Sequence, residues 1–506
     1  MQRRHLLQSL AGLAATASLP ALARPARADA FDAAVASQPL LRPFKGVTDS
    51  SGDRDCEALL LRGRWPDELR GRFHRNGPAL FERAGARYHH WFDGDGMVQQ
   101  FRIDGRRIAH RGRLVRTAKL QAEQRAGRFL MPTVGTYIED APPLTGPDTI
   151  NAANTNALEH GGRLLAMWEG GSAYGMNPAD LSTQGPVTWG PGLQQLPFSA
   201  HPKVDAAGHL WNIGTQGDKL IAWHVDPQGQ LVSAQVGELP FRGGMVHDMA
   251  VTARHLVVPL PPVRLHFNRP EGDGPRRFAL EPGEPLRVLV MDKADIRQRR
   301  IFELPAEMVF HVGNAHDTAD GGVVLSWVGA PDAWFLDQGA VSLMAGRPSK
   351  AGALTLRVGR FDMVSGRVQV QSHEGGGQGE VEFPRVHPHR IGLPARHLVM
   401  GAAWPLYPSR RGLPLLHGVQ LLDTETGRLR RFDYGEHAIA EEHVIVPRPG
   451  QSGELDARLL GTTYDAHRQA TVLNLLDAAH VEDGPIAQAV LPYALPLGFH
   501  GNFHPA

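Results

Sequence analysis

The chain has 506 residues, of which 42% are hydrophobic and 21% are charged, and its formal net charge is +1. This balance is typical of a globular protein with a sizeable core, and it lacks the basic excess that marks a nucleic-acid-binding surface. A single cysteine excludes an intrachain disulfide and any cysteine-rich zinc or iron–sulfur site. We therefore expect a globular protein that does not bind nucleic acid.

The first 28 residues have the composition of an export signal. A pair of arginines precedes a stretch rich in alanine and leucine, and small residues allow cleavage after Ala23 or Ala28. The apolar stretch is short and is broken by Ser18 and Pro20, so it does not predict a membrane span. We interpret residues 1–28 as a twin-arginine signal peptide, which predicts a periplasmic protein. A disordered basic tail is the alternative.

Beyond about residue 60 the sequence alternates short apolar runs with turns and shows little helical periodicity. The 57 glycines and 39 prolines are consistent with many turns and short strands. Apolar runs that follow a turn recur roughly 45 to 75 residues apart, near the length of a four-stranded propeller blade with its loops. These segments begin at Gly162, Gly208, Arg254, Gly322, Arg396 and Arg458.

This spacing predicts an all-β protein, a β-propeller that occupies residues 40–506 without a dividing linker. Three stretches, 118–150, 262–285 and 330–350, are longer and less patterned, and we interpret them as loops or short helices laid over one face. An array of β-sandwiches is the main alternative. It would not bring equivalent side chains from successive repeats to one point.

Three histidines begin near-copies of one local pattern, a short strand-like run followed by a turn and an apolar strand. They are His201 in HPKVDAAGHLWNIG, His247 in HDMAVTARHLVVPL and His311 in HVGNAHDTADGGVVLSW. Because the first strand of each blade lines the propeller axis, equivalent histidines on successive blades converge there. Converging neutral imidazoles predict a site for a redox-active transition metal.

A fourth histidine, His500, lies in the closing segment LPLGFHGNFHPA. Its local context alone leaves a ligand and a core residue as equal alternatives. Four imidazoles around an octahedral ion would leave two positions open, enough for dioxygen and a substrate to approach together.

Histidine ligands usually donate their second N–H to a carboxylate, which fixes the tautomer and the ring orientation. Three acids lie inside otherwise apolar runs, where an unpaired acid is costly: Glu169 in LLAMWEGG, Glu382 in VEFPRV and Glu442 in EEHVIVPRP. We predict that these acids accept from the histidines, the alternative for each being a turn or edge position. Hydrolase elbows of the G-x-S-x-G type and H-E-x-x-H zinc motifs do not occur in the sequence.

Several segments resemble the signatures of the carotenoid cleavage oxygenases. They are NGPALFERAGARYHHWFDGDGMVQQFRI (Asn76 to Ile103), ANTNALEHGGRLLAMWEGG, AHPKVD, HDMAVT, FHVGNA, EFPRV, EHVIVPRPG and GFHGNF. The resemblance runs from about residue 40 to the C-terminus. It implies a seven-bladed β-propeller with iron(II) on its axis. It further implies that the metal ligands are His201, His247, His311 and His500, and that the carboxylates behind them are Glu169, Glu382 and Glu442.

The reaction that the resemblance implies is the cleavage of a C=C bond of an apolar small molecule by dioxygen, which gives two carbonyl products. Members of the family act on carotenoids, apocarotenoids or stilbenes, and stilbene cleavers are expected to present a tyrosine and a lysine that ionise a phenol. The segment Arg113–Lys119 supplies a lysine but no tyrosine at the expected place. We therefore expect a carotenoid or apocarotenoid substrate, with a lignostilbene as the alternative.

Two other classes of function remain open at this point: a non-redox isomerase on the same metal site, and a non-catalytic propeller that serves as a binding platform. Docking of an apolar patch on a membrane is also left open. Candidate residues of the substrate cavity, each with a core position as its alternative, are Phe129, Met131, Tyr137, Trp168, Phe310, Trp327 and Phe499.

Overall fold

The computed structural model describes residues 26–48, 52–240, 245–265, 278–281, 283–349, 354–373, 379–404, 407–410 and 412–506. Over these residues the chain forms a seven-bladed β-propeller, which confirms the predicted fold class. Residues 1–25, most of the predicted signal peptide, lie outside the described residues. Among the helices that are described, none is long and apolar enough to cross a membrane.

Blades 2 to 6 are four-stranded antiparallel sheets. Their strands, from the axis outwards, are Asn156–His160, Arg163–Met167, Tyr174–Met176 and Thr183–Pro186 in blade 2; Lys203–Val204, Leu210–Gln216, Lys219–Val225 and Leu231–Glu238 in blade 3; Ala250–Val251, His255–Leu260, Leu286–Asp292 and Arg299–Leu304 in blade 4; Met308–Asp317, Val323–Ala330, Thr355–Phe361 and Val368–His373 in blade 5; and Glu380–Arg385, His397–Ala403, Gly418–Asp423 and Leu429–Asp433 in blade 6.

Blades 1 and 7 are five-stranded because strands near the ends of the described chain join them: Arg54–Cys56 and His500–Pro505 in blade 1, and Leu60–Gly63 in blade 7. From the axis outwards, the strands are His500–Pro505, Arg70–Leu80, Asp95–Asp104, Arg107–Leu114 and Arg54–Cys56 in blade 1, and Ala438–Pro447, Ala457–Asp465, Ala470–Asp477, Pro485–Val490 and Leu60–Gly63 in blade 7.

The ring is closed twice by these added strands. The C-terminal strand is the innermost strand of blade 1, where His500 pairs with Asn76. The early strand Leu60–Gly63 is the outermost strand of blade 7 and pairs with Pro485–Val490. The first closure places His500 at the axis, although it is remote in sequence from the other three histidines.

Adjacent blades pack face to face through apolar clusters, one at each of the seven interfaces. Because the middle strands are covered on both faces, they read as continuous apolar runs; in His255–Leu260 every residue is buried. Trp223 lies between blades 2 and 3, and Trp327 lies between blades 4 and 5. The hydrophobic core therefore consists of seven clusters between adjacent blades, arranged around an axis that polar side chains occupy.

The turns that connect the strands often begin with aspartate and end with glycine. In Asp205–Gly208 the carboxylate accepts two backbone N–H groups, each at 3.0 Å, and Gly208 has φ +82°. The turn Asp226–Gly229 repeats this arrangement, with φ +79° at Gly229. The aspartate side chain mimics a backbone turn, and glycine adopts the left-handed conformation without a Cβ clash. This local chemistry explains why the sequence forms short antiparallel strands.

Short helices and two small sheets complete the structure. The α-helices are Ala28–Ser37, Ala118–Ala126 and Ala340–Met344, and a π-helical turn spans Phe335–Gly339. The 3-10 helices are Pro39–Lys45, Trp91–Asp93, Pro147–Ile150, Pro388–Arg390, Pro408–Arg410 and Ala478–Asp483. In one small sheet Ala86–Arg87 pairs with both Ala26–Arg27 and Glu82–Arg83, and in the other Val263–Leu265 pairs with Phe278–Leu280.

Some of these segments cover the end of the propeller at which the histidines lie. Phe31 of the first helix packs in one cluster with Phe499, and Leu336 of the π-helical turn packs with Met245 and Met308. Stretches 118–150 and 330–350 contain helices, as predicted. Stretch 262–285 was predicted as a loop or short helix, and its residues 266–277 and 282 lie outside the described residues. In its described part Val263–Leu265 pairs with Phe278–Leu280, strands too short to show a period of two.

Candidate metal centre

His201, His247, His311 and His500 meet on the propeller axis. All four are buried, and one nitrogen from each lies within 4.8 Å of the others. The Nε2 atom of His247 lies 2.9 Å from Nε2 of His201 and 3.3 Å from Nε2 of His311. The Nε2 atoms of His311 and His500 are 3.0 Å apart. The repeated histidine pattern therefore corresponds to a single cluster of imidazoles.

Each of these histidines comes from the axial region of a different blade. His500 begins the inner strand of blade 1, and His201 and His247 lie shortly before the inner strands of blades 3 and 4. His311 lies inside the inner strand of blade 5, at an irregularity where the pairing register shifts between Val309 and Val312. A β-bulge re-aims side chains, and here it accompanies a side chain that faces the axis.

A carboxylate lies behind three of the four imidazoles. The Nδ1 atoms of His247 and His311 are 2.6 Å from Glu169 Oε2 and 2.5 Å from Glu382 Oε2, respectively. The Nδ1 atom of His500 is 3.1 Å from Oε1 of Glu442. Because a carboxylate only accepts, each of these Nδ1 atoms donates its proton. The corresponding Nε2 atoms then present their lone pairs to the axis.

Irregular backbone also places the carboxylates. Glu382 and Glu442 lie at register shifts in the inner strands of blades 6 and 7, and Glu169 follows the second strand of blade 2. Beside Glu382, Phe383 has φ +57°, which is strained for a residue with a large side chain. Its ring centroid lies 5.2 Å from that of His311. The strained position is therefore in contact with the metal centre.

His201 has a more distant carboxylate. Its Nδ1 lies 3.9 Å from Oδ1 of Asp248, too far for a hydrogen bond. That oxygen accepts from Lys203 Nζ at 2.8 Å and from the N–H of Met249 at 2.6 Å, and Oδ2 accepts from the N–H of Val312 at 2.8 Å. Burial opposes ionisation of Asp248, but Lys203 holds its pKa below the usual value.

Glu442 is shared with a cation in a similar way. Arg385 Nε donates to Oε1 at 2.8 Å, the same oxygen that faces His500, and the N–H of Gly501 donates to Oε2 at 2.8 Å. Burial opposes ionisation of Glu442, but Arg385 and His500 hold its pKa below the usual value. Sequence reasoning missed Arg385, Lys203 and Asp248, although each lies in a motif that carries a predicted site residue.

The pKa values of two of the imidazoles suit a metal ion. Burial, reinforced by the neighbouring imidazoles, holds the pKa of His201 well below its usual value. Burial also lowers the pKa of His500 to about 4, although Glu442 opposes this shift. Neutral imidazoles whose lone pairs point at one another have no mutual hydrogen bonding to gain, and a cation between them satisfies all of them. The donor set therefore fits a transition metal.

The spacing and the local charge support the same conclusion. Ligand nitrogens at right angles around a metal, with bonds of about 2.1 Å, are about 3.0 Å apart, close to the observed Nε2 separations of 2.9, 3.0 and 3.3 Å. The four carboxyl groups near the histidines outnumber their two cationic partners, Lys203 and Arg385. When ionised they leave two negative charges, which a divalent cation neutralises.

A cavity of about 420 Å³ opens beside the histidines, and His247, His311 and His500 form part of its wall. The rest of the wall is mostly apolar. Phe310 lies parallel to His247, with ring centroids 4.0 Å apart, and also stacks on Phe92. Aromatic residues of the wall are Trp91, Phe92, Trp168, Phe278, Phe310, Trp334, Phe335, Phe383 and Phe499. The metal centre thus borders a compartment suited to an apolar molecule.

The structure places three of the predicted cavity residues, Trp168, Phe310 and Phe499, on this wall. It places Phe129, Met131, Tyr137 and Trp327 elsewhere, which corrects the expectation. Phe129 stacks on Tyr88 with ring centroids 3.9 Å apart, and Trp327 fills the core between blades 4 and 5. An apolar sequence pattern does not distinguish a residue of the core between two blades from a residue of the cavity wall. The sequence analysis did not predict Phe92 or Phe383 as cavity residues, although they lie in the quoted segments Asn76 to Ile103 and EFPRV, respectively.

Lys119 is also absent from the described part of the cavity wall. Its buried ammonium group donates to the Tyr88 hydroxyl at 2.7 Å, to Asp95 at 2.9 Å and to Glu123 at 3.1 Å. We refer to Tyr88, Asp95, Lys119 and Glu123 as the Lys119 cluster. The structure thus places a tyrosine, Tyr88, beside this lysine, which corrects the expectation that the lysine lacks a tyrosine partner. Neither residue belongs to the described cavity wall.

Comparisons with known proteins agree with this geometry. The family described as "Retinal pigment epithelial membrane protein" matches residues 47–505. The apocarotenoid-15,15'-oxygenase of Synechocystis sp. is 29% identical over 477 residues, 88% of this chain and 92% of that protein. Lignostilbene-alpha,beta-dioxygenase isozyme III of Sphingomonas paucimobilis is 27% identical over 483 residues, 89% of this chain and 94% of that protein. The solved structure of a Glu150Gln mutant of Synechocystis apocarotenoid oxygenase aligns with a TM-score of 0.81 and 27% identity, covering 93% of this chain and 99% of that one.

Proposed function

The chain belongs to the carotenoid cleavage oxygenases, the family described as retinal pigment epithelial membrane protein, and from this membership we propose that it is an iron(II) dioxygenase whose substrate is a carotenoid or an apocarotenoid. In this proposal it uses dioxygen to cleave one C=C bond into two carbonyl groups. The observation that carries the proposal is an apolar cavity whose wall includes three of the four converging imidazoles, those of His247, His311 and His500.

The proposed ligands of the metal are His201, His247, His311 and His500. Imidazole binds several divalent metals, so the donor set by itself does not select iron. Iron(II) is proposed because dioxygen chemistry requires a redox-active ion, and the local charge is balanced by a divalent one. Bound iron(II) would supply the position at which dioxygen is activated.

The chain's own residues would bind and orient the substrate. The parallel ring of Phe310 fixes His247 and forms an apolar surface beside it. Phe499 lies directly before His500 and packs on Phe92 and Trp91, with ring centroids 5.0 and 4.8 Å away. These rings hold a flat polyene by van der Waals contact and exclude water from the reacting bond.

A stilbene substrate is less well supported by the cavity wall. Ionisation of a phenol calls for a cationic or phenolic partner, and the described residues of the wall include neither lysine nor tyrosine. The lysine that could have served, Lys119, is enclosed in the Lys119 cluster.

We further propose that residues 1–28 direct export by the twin-arginine route to the periplasm. The arginine pair and the small residues before Ala28 support this proposal. The twin-arginine route would suit a protein that acquires its metal while folding in the cytoplasm. Comparison of the mature N-terminus in periplasmic and cytoplasmic fractions tests it, and an uncleaved cytoplasmic protein would contradict it.

The function is tested by aerobic incubation of the iron-loaded protein with a carotenoid, an apocarotenal and a hydroxystilbene. We expect aldehydes from at least one of the two polyenes, identified by mass, with one dioxygen consumed for each bond cleaved. Cleavage of the stilbene alone would replace the proposed substrate class. A rearranged product without oxygen uptake would identify an isomerase. Absence of stoichiometric iron together with inactivity on all three compounds would favour a binding platform.

A further inference from the structure

The four imidazoles at the metal centre differ in the strength of the hydrogen-bond acceptor behind them. Glu169 and Glu382 lie 2.6 and 2.5 Å from the Nδ1 atoms of His247 and His311. Behind His500 and His201 the corresponding distances, to Glu442 and Asp248 respectively, are 3.1 and 3.9 Å. The centre therefore has two short and two long contacts of this kind.

The long contacts coincide with two cations. Lys203 Nζ lies 2.8 Å from Asp248 Oδ1, and Arg385 Nε lies 2.8 Å from Glu442 Oε1. In each case the cation binds the same oxygen that faces the histidine. Backbone N–H groups occupy the other oxygen of each carboxylate. Each carboxylate is thus held between a cation and a histidine.

We propose that Lys203 and Arg385 are positioning residues that hold Asp248 and Glu442 back from His201 and His500, so that two strongly basic and two weakly basic imidazoles face the metal. This inference rests on the proposed metal site. A carboxylate that accepts the second N–H of a histidine raises the basicity of that ligand. A carboxylate that shares its charge with a lysine or arginine raises it less.

This arrangement has a consequence for the metal. The rings of His201 and His500 are neighbours, with centroids 4.5 Å apart, so the weakly basic pair lies on one side of the centre. Two weakly basic imidazoles donate less electron density to a divalent ion than two strongly basic ones would. The ion is therefore harder to oxidise than it would be with four strongly basic imidazoles. Lys203 and Arg385 thereby favour the divalent state before dioxygen binds.

Titration of the metal-free protein with Co(II) tests the inference, because the ligand-field bands of Co(II) report ligand strength and the titration gives affinity. We expect Lys203→Met and Arg385→Met to bind Co(II) about tenfold more tightly, in line with the 10- to 100-fold effects of outer partners of metal ligands. The bands should shift in both variants. Lys203→Arg, which keeps the cation, should retain the wild-type affinity and bands.

Two controls separate this role from a general loss of positive charge. Lys219→Met removes a lysine from an exposed ion pair with Glu238 in the same blade and should change neither readout. In an Asp248→Asn background, Lys203→Met should give no gain, because the carboxylate that it would release is gone. A gain that persists in this background would overturn the inference, and so would unchanged affinity and bands in folded Lys203→Met.

Failure of the inference is distinguishable from failure of the proposed function. If the wild type does not bind one Co(II) per chain, the metal site itself is refuted. If the wild type binds Co(II) and the variants do not differ from it, only the role of the cations is refuted. Should Lys203→Met fail to fold, Arg385→Gln compared with Arg385→Lys makes the same test at Glu442, with the gain expected for Arg385→Gln alone.

Discussion

The metal centre and the Lys119 cluster are both buried and polar, yet their hydrogen bonding is opposite. In the Lys119 cluster the three ammonium donors meet three acceptors, on Tyr88, Asp95 and Glu123, at 2.7, 2.9 and 3.1 Å. In the metal centre the Nδ1 donors of three histidines are satisfied by carboxylates, and their Nε2 lone pairs point at one another. Every ammonium donor of the first cluster has an acceptor within the protein, whereas the converging lone pairs of the second would be satisfied by a cation.

This difference shows why burial of charged groups alone does not identify a functional site. A buried lysine between two carboxylates has a structural role when each of its N–H donors has an acceptor within the protein. Acceptors that converge without a donor are costly unless a ligand joins them. Variants that alter one cluster and spare the other test whether the two are independent, one serving metal binding and the other stability.

The largest effect is expected for His311→Ala. Loss of this imidazole, which adjoins both His247 and His500, removes a ligand and the order that it imposes on its neighbours. We expect stoichiometric metal to be lost and activity to fall by about 10³-fold or more, with the fold retained because the blade cores are untouched. Metal analysis and circular dichroism check this result.

His110→Ala is the matched control for that variant. His110 is equally buried, lies in the strand Arg107–Leu114 of blade 1 away from the axis, and bonds Gln99 of that blade and Tyr493. The His110→Ala variant should be less stable than the wild type but should still bind stoichiometric metal. Stoichiometric metal in folded His311→Ala, or loss of metal in folded His110→Ala, would contradict the assignment of the axial cluster.

Lys119→Met should have the largest effect on stability. Removal of the ammonium group leaves Asp95 and Glu123 buried without their cation, and breaking a buried ion pair typically costs about 3–5 kcal/mol. Denaturant unfolding should show a loss of this size, while Co(II) affinity remains that of the wild type. The triple variant Lys119→Met/Asp95→Asn/Glu123→Gln, which removes the charges together, should recover much of the loss. A folded Lys119→Met protein with weaker metal binding would show that the two clusters are coupled.

The same cluster predicts a dependence of stability on pH. Burial raises the pKa of Asp95 to about 6, although Lys119 opposes the shift. Between about pH 4 and pH 6 the folded state therefore holds a proton that the unfolded state has released, and this group's contribution to stability falls as the pH rises. Protonated Asp95 resembles asparagine. As the pH rises through this range, the free energy of unfolding of Asp95→Asn should therefore increase relative to that of the wild type, by up to about 3 kcal/mol. Unfolding curves of both proteins at pH 4 and 6.5 measure the difference, and a constant difference would refute the shift.

The sequence was sufficient to locate the histidines and the three glutamates because their signals are local. A histidine before a strand, or an acid inside an apolar run such as that of Glu382, is visible without knowledge of the fold. His500 needed the resemblance, because its place on the axis depends on pairing with Asn76 at the other end of the chain. Repetition along the chain therefore predicted most of the centre.

Other features depend on contacts between blades, which no local pattern encodes. Arg385 of blade 6 binds Glu442 of blade 7, and Asp248 of blade 4 accepts from Val312 of blade 5. The register shift beside Phe383 likewise decides which side chains face the cavity. For the same reason the sequence did not show that Trp327, which was expected on the cavity wall, lies in the core between blades 4 and 5.

The smallest expected effect is that of Glu382→Gln, which alters one acceptor and removes no ligand. Glutamine can still accept from Nδ1 of His311, but without the charge that makes the 2.5 Å contact strong. We expect Co(II) affinity to fall about tenfold, equivalent to about 1.4 kcal/mol, while the denaturation midpoint of the metal-free protein changes little. Glu307→Gln is the control, because Glu307 bonds Trp327 in blade 5 without contacting a histidine of the centre. If Glu382→Gln lowered stability and left Co(II) affinity unchanged, Glu382 would resemble the acids of the Lys119 cluster, and the contrast between the two regions would fail at this residue.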